Sequence, residues 1–254
     1  LESMQSDDAE KYSKFWQNFG RTLKEGLNSD YENKDKITPL LLFPSSKDPV
    51  KLVSLKDYVA RMPLAQPEIF YLTGESRNAV EHSPHLEAFK EKGHEVLYLI
   101  DPVDELVLQS LTEFEGKKLK SIGKGTVQLG SETEREQAEQ ELKEKSEGYA
   151  DLLDALQKTL EEHIKEVRLS NRLTSSPVCL VSEDGDHSPQ MERLLKQAQQ
   201  DLPQQKRIME LNPTHPLLEK LHGRFQKDKD DPTLKTYAEL LFGYGLLAEG
   251  SEVA

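Results

Sequence analysis

Two short runs without a polar interruption, Ile69-Phe70-Tyr71-Leu72 and Val96-Leu97-Tyr98-Leu99-Ile100, limit this chain more than any other feature. Each is β-branched, aromatic and aliphatic, and each stops at turn chemistry: Thr73-Gly74-Glu75-Ser76 after the first, Asp101-Pro102 after the second. Between them Arg77 to Val80 and Pro84 to Lys92 are helical in pattern. A strand, helix, strand order with apolar strands predicts a parallel pair covered on both faces and joined by a right-handed crossover. Lys118 to Ile122 offers a third strand, so residues 9 to 122 read as a small three-layer αβα unit around a short parallel sheet.

The N-terminal part of that unit is helical. Tyr12, Phe15, Trp16, Phe19 and Leu23 share one face of a helix expected to stop near Gly26. Ile37 to Phe43 reads as a second helix, with Pro39 in its first turn, and Leu55, Tyr58, Val59 and Met62 space a third. Three helices are therefore expected before any strand.

Three glycines within Gly123 to Gly130 mark the domain boundary, dividing the chain into 1–123 and 124–254. Ser131 to Gly148 is charged almost all round, with Leu142 nearly its only apolar residue. A coiled coil there would place mostly Glu and Gln at its seam. Tyr149, Leu152, Leu153, Leu156, Leu160 and Ile164 space a separate amphipathic helix. Strands are expected around Val167 to Leu169, at Val178 to Val181 and at Arg207 to Leu211, giving an α+β second domain with a small sheet. In the stretch from Glu166 to Gln200 the loop SEDGDHSPQ feeds Met191, Leu194, Leu195 and Ala198 at helical spacing. Such a stripe either packs on its own sheet or holds other proteins, and the flexible thioether of Met191 fits the second role.

The last helix, Thr233 to Glu249, carries Leu234, Tyr237, Leu241, Tyr244 and Ala248 as one stripe. Leu240, Phe242, Leu246 and Leu247 widen it until the end is apolar nearly all round. A helix of that kind needs cover, from its own domain or from a second copy of the chain. Gly243 and Gly245 either interrupt it or allow close approach.

Charge narrows the partners. A formal net charge of -13 over 254 residues repels phosphate backbones and anionic lipid surfaces, and no basic patch offsets it. Cys179, the one cysteine, lies inside an apolar strand, which points to a reducing, cytoplasmic setting. No run is long and apolar enough for a membrane span, and the start LESMQSDDAEK lacks a signal peptide's features; opening on Leu1 points to a piece of something longer.

Catalytic signals are weak. Neither strand is followed by G-x-G-x-x-G or by G-x-x-x-x-G-K-[ST]. His82 and His85 are three apart beside Glu81 and Glu87, but Pro84 breaks their helical face and no second ligand cluster accompanies them. An α/β enzyme or ligand-binding domain would place its site at the strand ends, Gly74 to Arg77 and Asp101 to Asp104.

An ordered set of motifs resembles the C-terminal half of the heat-shock protein 90 chaperone family, of the bacterial HtpG type. These are YSKFWQNF at Tyr12 to Phe19, LKDYVARM at Leu55 to Met62, IFYLTGES at Ile69 to Ser76, Val103-Asp104-Glu105 and LTEFEG at Leu111 to Gly116. SNRLTSSP at Ser170 to Pro177, Met191-Glu192-Arg193, ELNPTHP at Glu210 to Pro216 and LLFGYGLLAEG from Leu240 follow in the same order. The resemblance implies the distal part of the chaperone's middle domain followed by a C-terminal dimerisation domain with a helical dimer bundle. It implies stress-response protein folding, a homodimer and non-native client proteins as partners, with no nucleic acid and no membrane. ATP and magnesium would belong to an upstream nucleotide-binding domain, so no cofactor and no ATP hydrolysis are expected from these residues. It implies client contact at Met191, Leu194 and Leu195, and at Leu106, where the family often has Trp. It implies dimer contact through Leu234, Tyr237, Leu240, Leu241, Tyr244 and Leu247. Two glycines would interrupt that penultimate helix, and the final helix would fall after Ala254.

Overall fold

The computed structural model describes residues 1–199 and 205–251. Gln200, the expected end of the amphipathic stretch, and the tail 252–254 lie outside the described residues. The fold is mixed α/β, divided into two compact units. The first comprises Leu1–Val80 and His94–Ser121, the second Glu81–Gly93 and Ile122–Ala254.

In the first unit, α1 (Glu2–Asp7) precedes α2 (Ala9–Ser29), which Asp8 caps by accepting from the Lys11 N–H. Helix α2 runs past Gly26 to Ser29, burying Tyr12, Trp16 and Leu27. The helix expected at Ile37 to Phe43 is only α3 (Lys34–Ile37) and a 3-10 turn, Thr38–Leu40, followed by β1 (Leu42–Phe43). Pro39 sits in the turn, and Pro44 biases Phe43 towards extended backbone. Strand β1 pairs antiparallel with β2 (Val53–Ser54), so a two-stranded ribbon precedes α4 (Leu55–Arg61) and corrects the expectation of three helices before any strand.

The main sheet of this unit contains β3 (Glu68–Thr73), β4 (Leu97–Leu99), β5 (Glu113–Phe114) and β6 (Lys117–Ser121) in the order β4-β3-β6-β5. As expected, β3 is parallel to β4 and to β6, with Tyr71 opposite Leu97 and Ser121; only the edge strand β5 is antiparallel. The β3 to β4 connection contains α5 (Arg77–Glu81) and α6 (Glu87–Glu91), and α7 (Asp104–Ser110) follows β4. Tyr12, Trp16, Leu55, Tyr58 and Val107 cover Ile69, Leu97 and Leu99 in one core.

The second unit opens with α8 (Glu132–Thr159), 28 residues long. Two helices were expected here, yet the chain passes through Gly148 unbroken. Ser131 and Glu134 form a complete capping box at its start, while Leu152, Leu153 and Leu156 are fixed in the core, outweighing the roughly 1 kcal/mol a helical glycine costs. Ile164 is not helical; it begins β7 (Ile164–Leu169). With β8 (Val178–Val181) and β9 (Arg207–Leu211) it forms a sheet ordered β7-β9-β8, β7 parallel and β8 antiparallel to β9. Helix α9 (Pro189–Gln197) leads towards β9, and α10 (Pro216–Lys227) and α11 (Thr233–Glu249) come after it. Residues of α8, α10 and α11 pack on Val167, Val178, Leu180 and Met209, forming the core of this unit.

Glu87 ties the segment 81–93 into the second unit. Its carboxylate accepts from the backbone N–H groups of Thr174 (2.7 Å), Ser175 (2.8 Å) and Ser176 (3.0 Å) and from the Ser175 hydroxyl (2.8 Å). Burial opposes that charge, but these hydrogen bonds prevail and hold the carboxyl below its ordinary pKa.

Candidate functional site

Helix α9 owes its start to Ser188, which accepts from the Met191 N–H, and to Pro189 in the first turn, where no N–H is required. Met191, Leu194 and Leu195 are all half-buried. Among the described residues none of the three joins the main core of its unit, so the stripe is neither sealed nor fully solvated. Leu106 projects from α7 in the other unit and is 45% exposed.

Helix α11 has two apolar sides. Ala238, Leu241 and Gly245 are buried, three and then four residues apart, which keeps them on one face. A Cβ at Gly245 would lie 2.7 Å from Leu180 Cγ, so glycine lets the helix lie against β8. The helix runs unbroken through Gly243 and Gly245, contrary to the expected interruption. On the opposite face Leu240, Tyr244 and Leu247 are 63%, 46% and 68% exposed. Leu234 and Tyr237 lie between these extremes, packed partly on the core. Of the six residues singled out for dimer contact, Leu241 alone is buried in its own unit and the other five retain accessible surface.

Charged side chains that sequence reading passed over organise the polar side of the second sheet. Glu210 on β9 accepts from Arg172 Nε (2.7 Å), Arg168 Nη2 (2.7 Å) and Ser170 Oγ (2.7 Å). Arg172, fully buried, also donates to the carbonyls of Ile122 and Gly125. Burial works against the Glu210 carboxylate, yet the two arginines keep its pKa depressed. His85 is buried in the same neighbourhood, where desolvation and then Arg172 push its imidazole down to about 4. Cys179 is buried there too, and desolvation raises its thiol well above the ordinary range, so it is not a poised nucleophile. Glu210 meets its three partners across 38 to 42 positions of sequence, and no local spacing marks them.

The strand-end residues of the first unit are committed to the fold. Arg77 donates to the carbonyls of Ser45 (3.1 Å) and Asp48 (2.9 Å), and Asp101 and Asp104 accept from the N–H groups of Val103 and Asp101. Asp104 also pairs with the buried Lys24 at 2.6 Å. Among the described residues no group of three His, Cys, Asp or Glu side chains is placed to hold a metal, and no helix is long and apolar enough to cross a membrane.

Comparison with known proteins decides the family: the model of the Hsp90 protein family matches residues 1–254. The chain belongs to the Hsp90 family. It is 50% identical to the chaperone protein HtpG of Nocardia farcinica over 98% of its own length and 39% of that relative's. It is 48% identical to HtpG of Geobacter sulfurreducens over 100% and 39%, and 49% identical to HtpG of Mycobacterium avium over 98% and 38%. The Hsp90 chain described here thus spans about two fifths of the curated relatives it matches. An enzyme site at Gly74 to Arg77 and Asp101 to Asp104 is not favoured, because these relatives are chaperones and those side chains serve the Hsp90 fold.

Proposed function

We propose that these residues form the dimerising, client-holding part of an ATP-dependent chaperone that works in the bacterial cytoplasm. The observation that carries the reading is the two-sidedness of α11: one apolar face packs on β8, while Leu240, Tyr244 and Leu247 form a second apolar face in solvent. Exposed apolar surface arrayed along a helix favours association, and a two-fold partner offers the same face in return. Leu234 and Tyr237 extend that contact at its margin, whereas Leu241 supports it from within.

In the same reading residues 1–123 are the distal part of the middle domain and residues 124–254 the dimerisation and client-contact domain. Met191, Leu194 and Leu195, half-buried behind the loop that precedes α9, hold non-native protein with Leu106 as a further contact. ATP and magnesium act elsewhere in the parent, and residues 1–254 alone are expected not to hydrolyse ATP. Sedimentation equilibrium tests the dimer. The wild-type chain should give twice its 28.9 kDa mass at micromolar concentration, and a Leu240→Ser, Leu247→Ser variant the single mass. A wild-type monomer at every concentration would refute the dimer reading. Client holding is tested in the parent chaperone by changing Met191, Leu194 and Leu195 together to Ser, which should abolish capture of an unfolded polypeptide.

A further inference from the structure

Arg207, the first residue of β9, is buried, and its guanidinium serves two helices. Nη2 and Nη1 donate to Glu192 Oε2 and Oε1 on α9 at 2.6 and 3.0 Å, a two-pronged pairing that fixes the carboxylate plane. Nε donates to Glu249 Oε2 at the end of α11, at 3.4 Å. A second tie runs beside it: Arg193 of α9 donates from Nη1 to the Gly250 carbonyl at 2.9 Å, where α11 terminates in a left-handed turn with φ of 80°.

We propose that Arg207 is a positioning residue that links the client-holding helix α9 to the C-terminal end of the dimer helix α11, so that occupancy of one biases the other. This rests on the roles given to α9 and α11 above. Glu192 directly follows Met191 and lies one turn before Leu195, so fixing its carboxylate fixes the rotation of the apolar stripe. Glu249 has its own local partner, the Ser251 hydroxyl at 2.5 Å, and its side chain is almost wholly buried. Burial raises the Glu249 pKa against the attraction of Arg207, while Glu192 and Glu249 together outweigh burial at Arg207 and raise its pKa. If α9 turns and withdraws Glu192, the buried guanidinium has only Glu249 to balance it, and the end of α11 must respond. The converse holds equally, since coupling between two sites is reciprocal.

Hydrogen exchange on the full chain tests the tie without any client. Glu249→Gln keeps the shape of the side chain and alters only the α11 side. It should speed exchange of the α9 amides by ~5-fold or more while the β7 and β9 amides hold their rates. Arg207→Lys, which keeps the charge but not the fork, should give a smaller acceleration. Unchanged α9 exchange in Glu249→Gln overturns the proposal. A second arm measures the dimer dissociation constant with and without saturating reduced, carboxymethylated lactalbumin. A shift of ~5-fold or more is expected for wild type, and under about 2-fold for Glu249→Gln; equal shifts in the two proteins overturn the coupling. A wild type that neither binds this polypeptide nor dimerises defeats the functional reading instead, and the exchange arm still decides whether α9 and α11 are tied.

Discussion

The two units differ in how they bury charge and in where apolar surface stays exposed: scattered singly in the first, lined up along one helix in the second. In the first, a buried pair, Lys24 and Asp104, joins α2 to α7, and α2 turns Tyr12, Trp16 and Leu27 inward. In the second, Arg172, Ser170 and Glu210 are buried in a network on one side of the sheet, with the half-buried Arg168 at its margin, while α11 leaves Leu240, Tyr244 and Leu247 outside. Apolar surface left in solvent destabilises nothing until it meets a partner, so its retention beside such a heavily determined polar interior fits a unit built to associate.

The difference in buried charge has the largest measurable consequence. Glu210→Ala would leave two arginines facing each other, one of them with no solvent access, and should reduce stability by roughly 3–5 kcal/mol. Asp104→Ala removes one partner of a pair whose lysine has a long flexible stem and a second contact with the Phe43 ring, 5.2 Å from its centroid. A lysine head can reach towards water, so the loss there should be smaller, about 2 kcal/mol. Urea unfolding followed by circular dichroism measures both. Equal midpoint shifts would erase the contrast between pair and network.

Acid should separate the units next. His85, held neutral with a pKa near 4 against 6.5 unfolded, binds its proton less well in the folded state. Its contribution is intact above pH 6.5 and is lost as pH falls towards 4, amounting to roughly 3 kcal/mol. Glu87 and Glu210, both depressed, lose theirs lower still, as pH falls from 4.5 through their folded values. Asp104 in the first unit, like Glu249 in the second, has the opposite sign. Burial raises its pKa despite Lys24, so acid does not withdraw stability through this carboxyl. Trp16, the chain's one tryptophan, reports the first unit alone. Between pH 6 and 4.5, exchange protection of α8 and β9 should fall before Trp16 fluorescence shifts. Simultaneous change would show that the buried imidazole does not set the order.

How much of this could be read from residues in line follows from the range of the interactions. Ile69 to Leu72, Val96 to Ile100 and Val178 to Val181 declared themselves as strands because burial on both faces demands unbroken apolar runs. Helices α2, α9 and α11 were visible in their spacing. The β1 and β2 ribbon, two residues a strand, is too short for any period to show, and Pro39 suited a helix as well as the turn it occupies. Continuity of α8 through Gly148 depends on core contacts made by Leu152 and Leu156, not on propensity. The polar architecture was the least legible: Glu87 meets Thr174 across 87 residues and Glu192 meets Arg207 across 15. Pairing across such separations leaves no mark on local composition.

The smallest effect on stability divides the units most sharply in behaviour. Phe19 on α2 and Leu240 on α11 are similarly exposed, at 53% and 63%, and both are apolar. Phe19 stacks on Phe15, 5.2 Å between ring centroids, so part of its surface is already covered within its own helix. Leu240 lies in line with Tyr244 and Leu247. Substituting either by Ser should alter unfolding free energy by no more than about 0.5 kcal/mol, as for most surface changes. Association should respond differently. Leu240→Ser should raise the dimer dissociation constant ~10-fold, a loss of about 1.4 kcal/mol, whereas Phe19→Ser should leave it unchanged. A Phe19→Ser chain that dissociates as readily would move the interface, or part of it, onto the first unit and undo the distinction between a helix satisfied by its own sheet and one that awaits a partner.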